Sequence, residues 1–531
     1  MTGHAPSAPR TTSMGRARGA VVIGAEGRLI EVEADIGQSL PSFVLLGLPD
    51  AALRESQDRV RSAAKNAGLS LPARRLTVNL FPASLPKAGS GLDLAILVSA
   101  WAADGKVSET ENVLFMAELG LDGRLRPVRG VLPAAAAAVH AGLGTIVVAQ
   151  ENAAEAALVP GAEVLSADHV LDVAAAFRSP SLTGAALEGT LGISRLVGGV
   201  STDEAHPAEQ LPDLSEVRGQ LEARFALEAA AAGGHNMLLL GPPGAGKTML
   251  AERLPSILPP LTDEHAMEAT AIASVSSAAQ AQLTGLQRTP PFEAPHHSAS
   301  AAAIIGGGTG MPTPGAVTRA HRGVLFLDEA PEFQRHVLDS LRQPIETGRI
   351  ALQRSAGQVI FPAQFQLVLA ANPCPCGMNS GRGLQCTCTV AQRRGYLRRI
   401  SGPMLDRIDL QVRVERPRSS ALALAEPGET SAQVLARVRQ ARARQRERLA
   451  PYGLQLNSQV SLKLLSDELR MPRPVTAQLD AALDRALISL RGYVRILRLA
   501  WTLADTQSRD EPAAEDIDAA MQLRLSAGDV R

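Results

Sequence analysis

Apolar and polar positions follow two rhythms along this chain, and the places where the rhythm changes divide it. Val21 to Ile23, Leu76 to Leu80 and Thr145 to Ala149 read as strands, and Ala51 to Ala67 and Leu92 to Ala103 keep helical spacing. Residues 20–195 are therefore expected to form an α/β or α+β domain. Within it the uncharged run Val131 to Gln150 is long enough to suggest a membrane span, but Pro133, Gly142 and Gly144 split it into an Ala-rich helix and a short strand. Residues 196–213 are rich in Gly, Ser, Asp, Glu and Pro without periodicity and read as a linker. From 214 to 418 strands alternate with helices, the pattern of a parallel sheet with crossover helices. After Glu426 the strand pattern ends: Ala432 to Leu449, Pro474 to Leu490, Gly492 to Thr506 and Ala513 to Leu525 all carry helical spacing, so 428–531 is expected to be a small helical domain. The opening residues 1–19 hold Arg10, Arg16 and Arg18 but no apolar stretch, and read as a disordered tail rather than a secretory signal.

Composition sharpens this outline. A chain of 531 residues has room for about three domains with their own cores. Lys plus Arg and Asp plus Glu number 53 each, which excludes a protein that coats nucleic acid by bulk charge. Any such binding must be local. Aromatics at 3% leave few platforms for base stacking. The four cysteines all lie between Cys374 and Cys388, which is no disulfide framework for so long a chain, and a cytoplasmic location follows as the expectation.

The strongest chemical signal is Gly241-Pro242-Pro243-Gly244-Ala245-Gly246-Lys247-Thr248, placed between the strand-like Met237 to Leu240 and the helical Met249 to Leu254. Glycines there let backbone amides curl round phosphates, and the helix N-terminus adds its positive end. Lys247 is expected to reach the β and γ phosphates of a nucleotide and Thr248 to ligate magnesium. Downstream, the apolar run Val324 to Leu327 ends in Asp328, for the magnesium shell, and Glu329, to polarise the attacking water. A third apolar strand, Phe365 to Ala371, ends in Asn372, whose amide can orient that water. Phosphoryl transfer is mostly positioning and charge neutralisation, so these groups suffice for ATP hydrolysis. A transition-state cation is still needed. Arg407 and Arg491 are candidates, although either alone reads more readily as a surface ion pair.

The run from Asp213 to Asp505 resembles the YifB/ComM family of magnesium-chelatase-like AAA+ ATPases. The resemblance rests on Ala231 to Asn236 before the phosphate loop, Ala294-Pro295-His296-His297, Gly306 to Gly308, Arg322-Gly323, Leu341 to Pro344, Ala371 to Gly377, and Ser401-Gly402-Pro403 with Asp406-Arg407-Ile408-Asp409. It implies that Asn372 is a first sensor, Arg407 a finger supplied to a neighbour's site, and Arg491 a second sensor, with Arg495 close enough to leave that last assignment open. It also implies a ring, usually a hexamer, with ATP sites between subunits. The first domain looks like the Lon-type protease fold (ribosomal S5 domain 2-like) through Gly47 to Asp50, Pro86 to Gly89 and Gly120 to Arg124. In Lon-type proteases the nucleophilic Ser stands four positions after the Lys of that Pro-Lys turn, where this chain has Gly91. The general-base Lys stands where it has Leu132. Without both partners there is no activated nucleophile, and such a domain is expected to pack rings or guide a substrate.

Two features stay open on the residues alone. Cys374, Cys376, Cys386 and Cys388 offer four thiolates in two pairs, enough for a tetrahedral zinc site, although one residue separates each pair where two are usual. A reduced metal-free cluster and a redox switch are the other readings. Nine arginines against three acids from Arg382 to Arg418, and two arginine stripes on the helix Ala432 to Leu449 (Arg437, Arg444, Arg448 and Arg439, Arg442, Arg446), are candidate phosphate-backbone surfaces or solvated helix faces. His296 and His297 read as hydrogen-bonding residues more readily than as ligands.

The expected protein is an α/β, hexameric, magnesium-dependent ATPase motor without a membrane span, with single-stranded or branched DNA as partner. The family resemblance implies a helicase driving branch migration in recombination or natural transformation. The alternative is a chelatase-like remodeller of a protein partner, against which the fused first domain speaks, because magnesium-chelatase motor subunits typically lack it. Proteolysis requires the dyad that Gly91 and Leu132 remove, with the nearby Ser90 and Lys87 as the one rearranged alternative: casein incubated with the purified protein and ATP is expected to stay intact on a gel, and its cleavage would restore the protease reading.

Overall fold

The computed structural model describes residues 14–47, 50–87, 89–180, 192–198, 211–276, 283–308, 312–354, 357–379, 385–416 and 428–525. The Leu48-Pro49 and Ala88 positions of the two Lon-like turns, Arg382, Arg418, most of the linker and residues 1–13 lie outside the described residues.

The first domain is built on strands β1 (Gly15–Ile23), β2 (Glu26–Gly37), β3 (Ser42–Leu46), β4 (Arg75–Phe81), β5 (Val113–Met116), β6 (Glu118–Leu119), β7 (Leu125–Arg126), β8 (Thr145–Ala149), β9 (Glu163–Ala167) and β10 (Ser194–Val197). All but β6 and β7, which pair with each other, form one sheet in the order β10-β9-β8-β5-β1-β2-β4-β3. Its pairings are mixed, with β1–β2–β4 and β9–β10 antiparallel and the rest parallel. One face packs on the helices Asp50–Asn66 and Asp93–Ala103 around Trp101 and Phe115.

Two domain edges differ from the sequence reading. Residues 15–19, expected in the disordered tail, are the first half of β1, and Leu196 and Val197, expected in the linker, pair with β9. The first difference has a steric cause: Gly15, Ala17 and Gly19 alternate small residues because the helix Asp93–Ala103 lies directly on them. A Cβ at Gly15 would sit 2.1 Å from the Ser99 carbonyl oxygen. A strand kept small for close packing looks, in sequence, like a turn.

The second domain contains β11 (Met237–Leu240), β12 (Phe292–Glu293), β13 (Gly306–Gly307), β14 (Thr313–Pro314), β15 (Val324–Leu327), β16 (Arg349–Arg354), β17 (Gly357–Pro362), β18 (Gln366–Ala371) and β19 (Leu410–Arg413). Five of these make a wholly parallel sheet in the order β12-β15-β18-β11-β19. β11, β15 and β18 are buried at every position, which is why they read as uninterrupted apolar runs. Helices cover both faces, and the β16–β17 hairpin stands apart as a separate ladder.

Among the described residues after 428 there is no strand. Helices Ser431–Leu449, Arg473–Asp484, Leu490–Thr506 and Ala514–Leu525 share the core of the parallel sheet's outer helices. The helix expected to run to Leu490 stops at Asp484. Ala486 takes a left-handed conformation (φ +52°), its amide and that of Leu487 close back on Leu483 and Ala482, and Ser489 caps a new helix. No helix of the described residues is long and apolar enough to cross a membrane.

The first domain is latched to the second by a buried carboxylate. Glu155 accepts from the Leu132 amide at 3.0 Å, from Asn152 Nδ2 at 3.3 Å and from Ser274 Oγ on the helix Asp263–Val275 at 2.5 Å. Leu132, which stands where a protease would need its lysine, is fully buried in this contact. Burial raises the pKa of Glu155 against the pull of those donors. The stability tied to its protonated form is therefore complete below the ordinary glutamate pKa and is lost as pH rises through the raised folded value. In calorimetric melts from about pH 4 upward, the wild-type transition is expected to fall relative to that of Glu155→Gln. Parallel curves for the two proteins would exclude this linkage.

Candidate active site

The site grows out of the parallel register. β11 lies between β18 and β19 with Leu240 opposite both Ala371 and Arg413. The chain beyond Leu240, Ala371 and Arg413 therefore emerges at one level, the carboxyl edge where ligands bind in such sheets. Gly241 leaves β11 so close to β19 that a Cβ there would be 2.1 Å from the Val414 carbonyl oxygen. Gly244 and Gly246 follow with φ +73° and +91°, turning the loop into the N-terminus of the helix Lys247–Ile257.

Lys247 is buried, with Nζ donating to the carbonyls of Gly241 at 2.7 Å and Pro242 at 3.1 Å and to Asn372 Oδ1 at 3.1 Å. Burial lowers its pKa, partly offset by Asp328 and Glu329. Thr248 Oγ1 donates to Asp328 Oδ2 at 2.7 Å, so a hydroxyl and a carboxylate oxygen converge as a hard divalent cation requires. Glu329 holds a left-handed backbone (φ +50°) that projects it beyond the strand end, its amide bonded to Asp328 Oδ1 at 2.8 Å. Its Oε2 lies 3.3 Å from His297 Nδ1, and the His297 ring packs on His296 at 4.1 Å between centroids.

The structure thus brings together Gly241 to Thr248, Asp328, Glu329 and Asn372. It adds residues that pattern reading missed. His297 holds Glu329. Gln220 Nε2 donates to the Ala245 carbonyl at 2.5 Å, and Arg416 donates to the Pro243 carbonyl at 2.8 and 3.2 Å, the two bracing the phosphate loop. Only His297 carried a signal, as part of the Ala294 to His297 match.

Arg407 and Arg491 are elsewhere. Both line a recess with Glu346, Asp406, Arg495 and Arg498, and no residue from 241 to 248 lines it. Arg407 is buried, donating to the Pro403 carbonyl at 2.6 Å and paired with Glu346. Arg491 has 68% of its side chain exposed and holds Asp406 by a single 3.2 Å contact. Arg495 is committed to the fold. It bonds the Asp406 carbonyl at 2.6 Å and pairs with Asp409, which is fully buried and also accepts from the Asn236 amide at 3.0 Å. Burial would push the Asp409 carboxyl up, but Arg495 and His235 outweigh it and hold it below the usual range.

The arginines of the helix Ser431–Leu449 are also largely consumed. Arg437 is forked between Glu228 and Glu429, Arg444 pairs with Asp510, Arg448 with Asp505 beneath the Trp501 ring, and Arg442 caps the Ala231 carbonyl. Arg439 and Arg446 are exposed. The candidate phosphate-backbone stripes are thus mainly a packing face.

Comparison with known proteins places this geometry. A family profile described as magnesium chelatase, subunit ChlI, matches residues 213–422. Its C-terminal counterpart matches 428–524, and one described as subunit ChlI of Mg-chelatase matches 32–152. The chain is 41% identical to competence protein ComM of Haemophilus influenzae over 92% of its own length and 93% of that protein. It belongs to the YifB/ComM family of magnesium-chelatase-like AAA+ ATPases. YifB of Escherichia coli is 40% identical over 94% of this chain and 95% of that protein, and an uncharacterized protein of Mycobacterium tuberculosis is 46% identical over 96% and 99%. The magnesium-chelatase 38 kDa subunit of Rhodobacter capsulatus is 26% identical, and 92% of it is covered by 64% of this chain.

The geometry separates Arg491 and Arg495 by experiment. Arg495→Leu leaves Asp409 buried without its partner and is expected to lower stability by about 3–5 kcal/mol in denaturant unfolding. Arg491→Leu, at an exposed position, is expected to leave stability within about 0.5 kcal/mol while reducing steady-state ATPase. Equal destabilisation by both would make the two arginines structurally equivalent.

Proposed function

We propose that the chain is a magnesium-dependent ATPase motor that assembles into a homohexameric ring and moves on single-stranded or branched DNA, as a helicase or branch-migration factor in recombination or natural transformation. The observation that carries the motor reading is the division of the site. Lys247, Thr248, Asp328, Glu329 and Asn372 converge within one chain, whereas Arg407 and Arg491 line a separate recess that the chain's own phosphate loop does not reach. A ring reunites the halves by bringing that recess against the phosphate loop of a neighbour.

In such a site the amides of Gly244 to Thr248 and the Lys247 ammonium hold the β and γ phosphates. Thr248 and Asp328 would hold magnesium, which neutralises phosphate charge. Glu329, steadied by His297, orients the attacking water and takes up its proton, with Asn372 fixing the water from the other strand end. Arg407 must leave Glu346 to meet the neighbour's γ-phosphate, so the Arg407–Glu346 pair acts as a resting position for the finger.

DNA as the substrate is supported by the likeness to a competence protein and by the exposed Arg394 and Arg398, the latter in a recess with Arg335 and Arg399. The second reading, remodelling of a protein partner by a chelatase-like ATPase, is favoured by the chelatase-subunit descriptions matched along the chain. ATPase measured on forked, three-stranded and single-stranded DNA separates them. The wild type is expected to be stimulated, and Glu329→Gln is expected to bind ATP but lose about 100-fold or more in kcat. Hydrolysis that neither responds to these DNAs nor accompanies binding to them at low salt would remove the DNA reading and leave the remodeller.

A further inference from the structure

We propose that Cys374, Cys376, Cys386 and Cys388 form a tetrathiolate zinc site that locks the segment after Asn372 onto the phosphate loop. Zinc binding by these residues stands independently of what the motor acts on.

The four Sγ atoms lie within 4.8 Å of one another. Cys374 is 3.4 Å from Cys376 and 3.7 Å from Cys386, and Cys376 is 3.7 Å from Cys386. A tetrahedral ion with Zn–S bonds of about 2.3 Å requires neighbouring sulfurs about 3.8 Å apart, so the spacing of Cys374, Cys376 and Cys386 nearly equals that of a filled site, with Cys388 Sγ within 4.8 Å of all three. None of the four is in a disulfide. Sulfurs in mutual contact leave room for a single ion and none for an iron–sulfur cluster, and a lone tetrahedral ion bound by four thiolates is characteristically zinc.

Arg393 bonds both the Cys388 carbonyl at 3.2 Å and Asn379 Oδ1 at 3.0 Å, tying the second pair of cysteines to the first.

The location gives the site its consequence. Cys374 is two residues beyond Asn372, the partner of Lys247. Gly377, at φ +74°, lies so close to the phosphate loop that a Cβ there would be 2.5 Å from Pro243 Cδ. Pro243 is the residue whose carbonyl Arg416 holds. An ion drawing the two Cys-x-Cys pairs together therefore presses this segment onto the phosphate loop and sets the position of Asn372. Such a site couples metal content to nucleotide affinity without touching the nucleotide.

The test uses the full chain, purified without a polyhistidine tag, chelator or added metal. Elemental analysis is expected to find one zinc per chain, and p-chloromercuribenzoate is expected to release it to a chromogenic indicator. Cobalt exchanged into the site should give the intense ligand-field absorption of tetrahedral thiolate coordination. Cys386→Ser with Cys388→Ser is expected to lose the zinc and bind a fluorescent ATP analogue at least several-fold more weakly. Stoichiometric iron, or metal-free wild type in which added zinc changes neither the melting temperature nor analogue binding, would overturn the zinc site. Zinc released by the mercurial with analogue affinity unchanged would overturn the coupling to the phosphate loop. Because the mercurial and cobalt measurements use the unmutated chain, they decide the question even if the double variant does not fold.

Discussion

The in-register parallel pairing of β11 with β18 and β19 is the constraint on which the site depends. Leu240, Ala371 and Arg413 share one level of the ladder, so three unrelated segments leave the sheet side by side: the phosphate loop, the Asn372 segment and the chain that carries Arg416. A slip of one residue in either pairing would turn side chains from one face to the other and part Asn372 from Lys247. β15, paired to β18 through Leu327 and Leu369, adds Asp328 and Glu329 at the same edge. The candidate catalytic groups are thus set by backbone hydrogen bonding before any side chain chooses a rotamer.

The same edge is held from the outside by charge. Asp409, at the entry to β19, is buried and accepts from Arg495 of the helix Leu490–Thr506 and from the Asn236 amide just before β11. The helix Leu490–Thr506 therefore grips the two strands β11 and β19. A buried carboxylate of this kind contributes specificity more than stability, since desolvation offsets much of the attraction. Its effect is to make the position of that helix and the position of the two strands one variable.

How far the chain could be read without its structure varied with the kind of signal. The phosphate loop, Asp328-Glu329 and the apolar strands were legible because each depends on local spacing and on side chains that have no other use at those positions. The arginine stripes misled because a helical wheel reports which residues share a face and not what lies opposite it. Glu228, Asp505 and Asp510 come from distant parts of the chain, and Glu429 from just before the helix. The start of β1 was hidden for a related reason, its small residues being chosen by a helix more than seventy positions away in sequence.

By itself, then, the sequence determined the family, and it singled out the candidate phosphate-binding and acidic residues, since these follow from short patterns and their spacing. Only the tertiary structure decided which arginines are spent in the fold and which remain exposed. It alone placed Arg407 with Arg491 away from the chain's own phosphate loop, set His297 on Glu329, and drew the sulfurs of four cysteines to within 4.8 Å of one another. The first two are distances between residues far apart along the chain, and the third depends on how the loop between the two cysteine pairs folds back, so no local pattern encodes any of them.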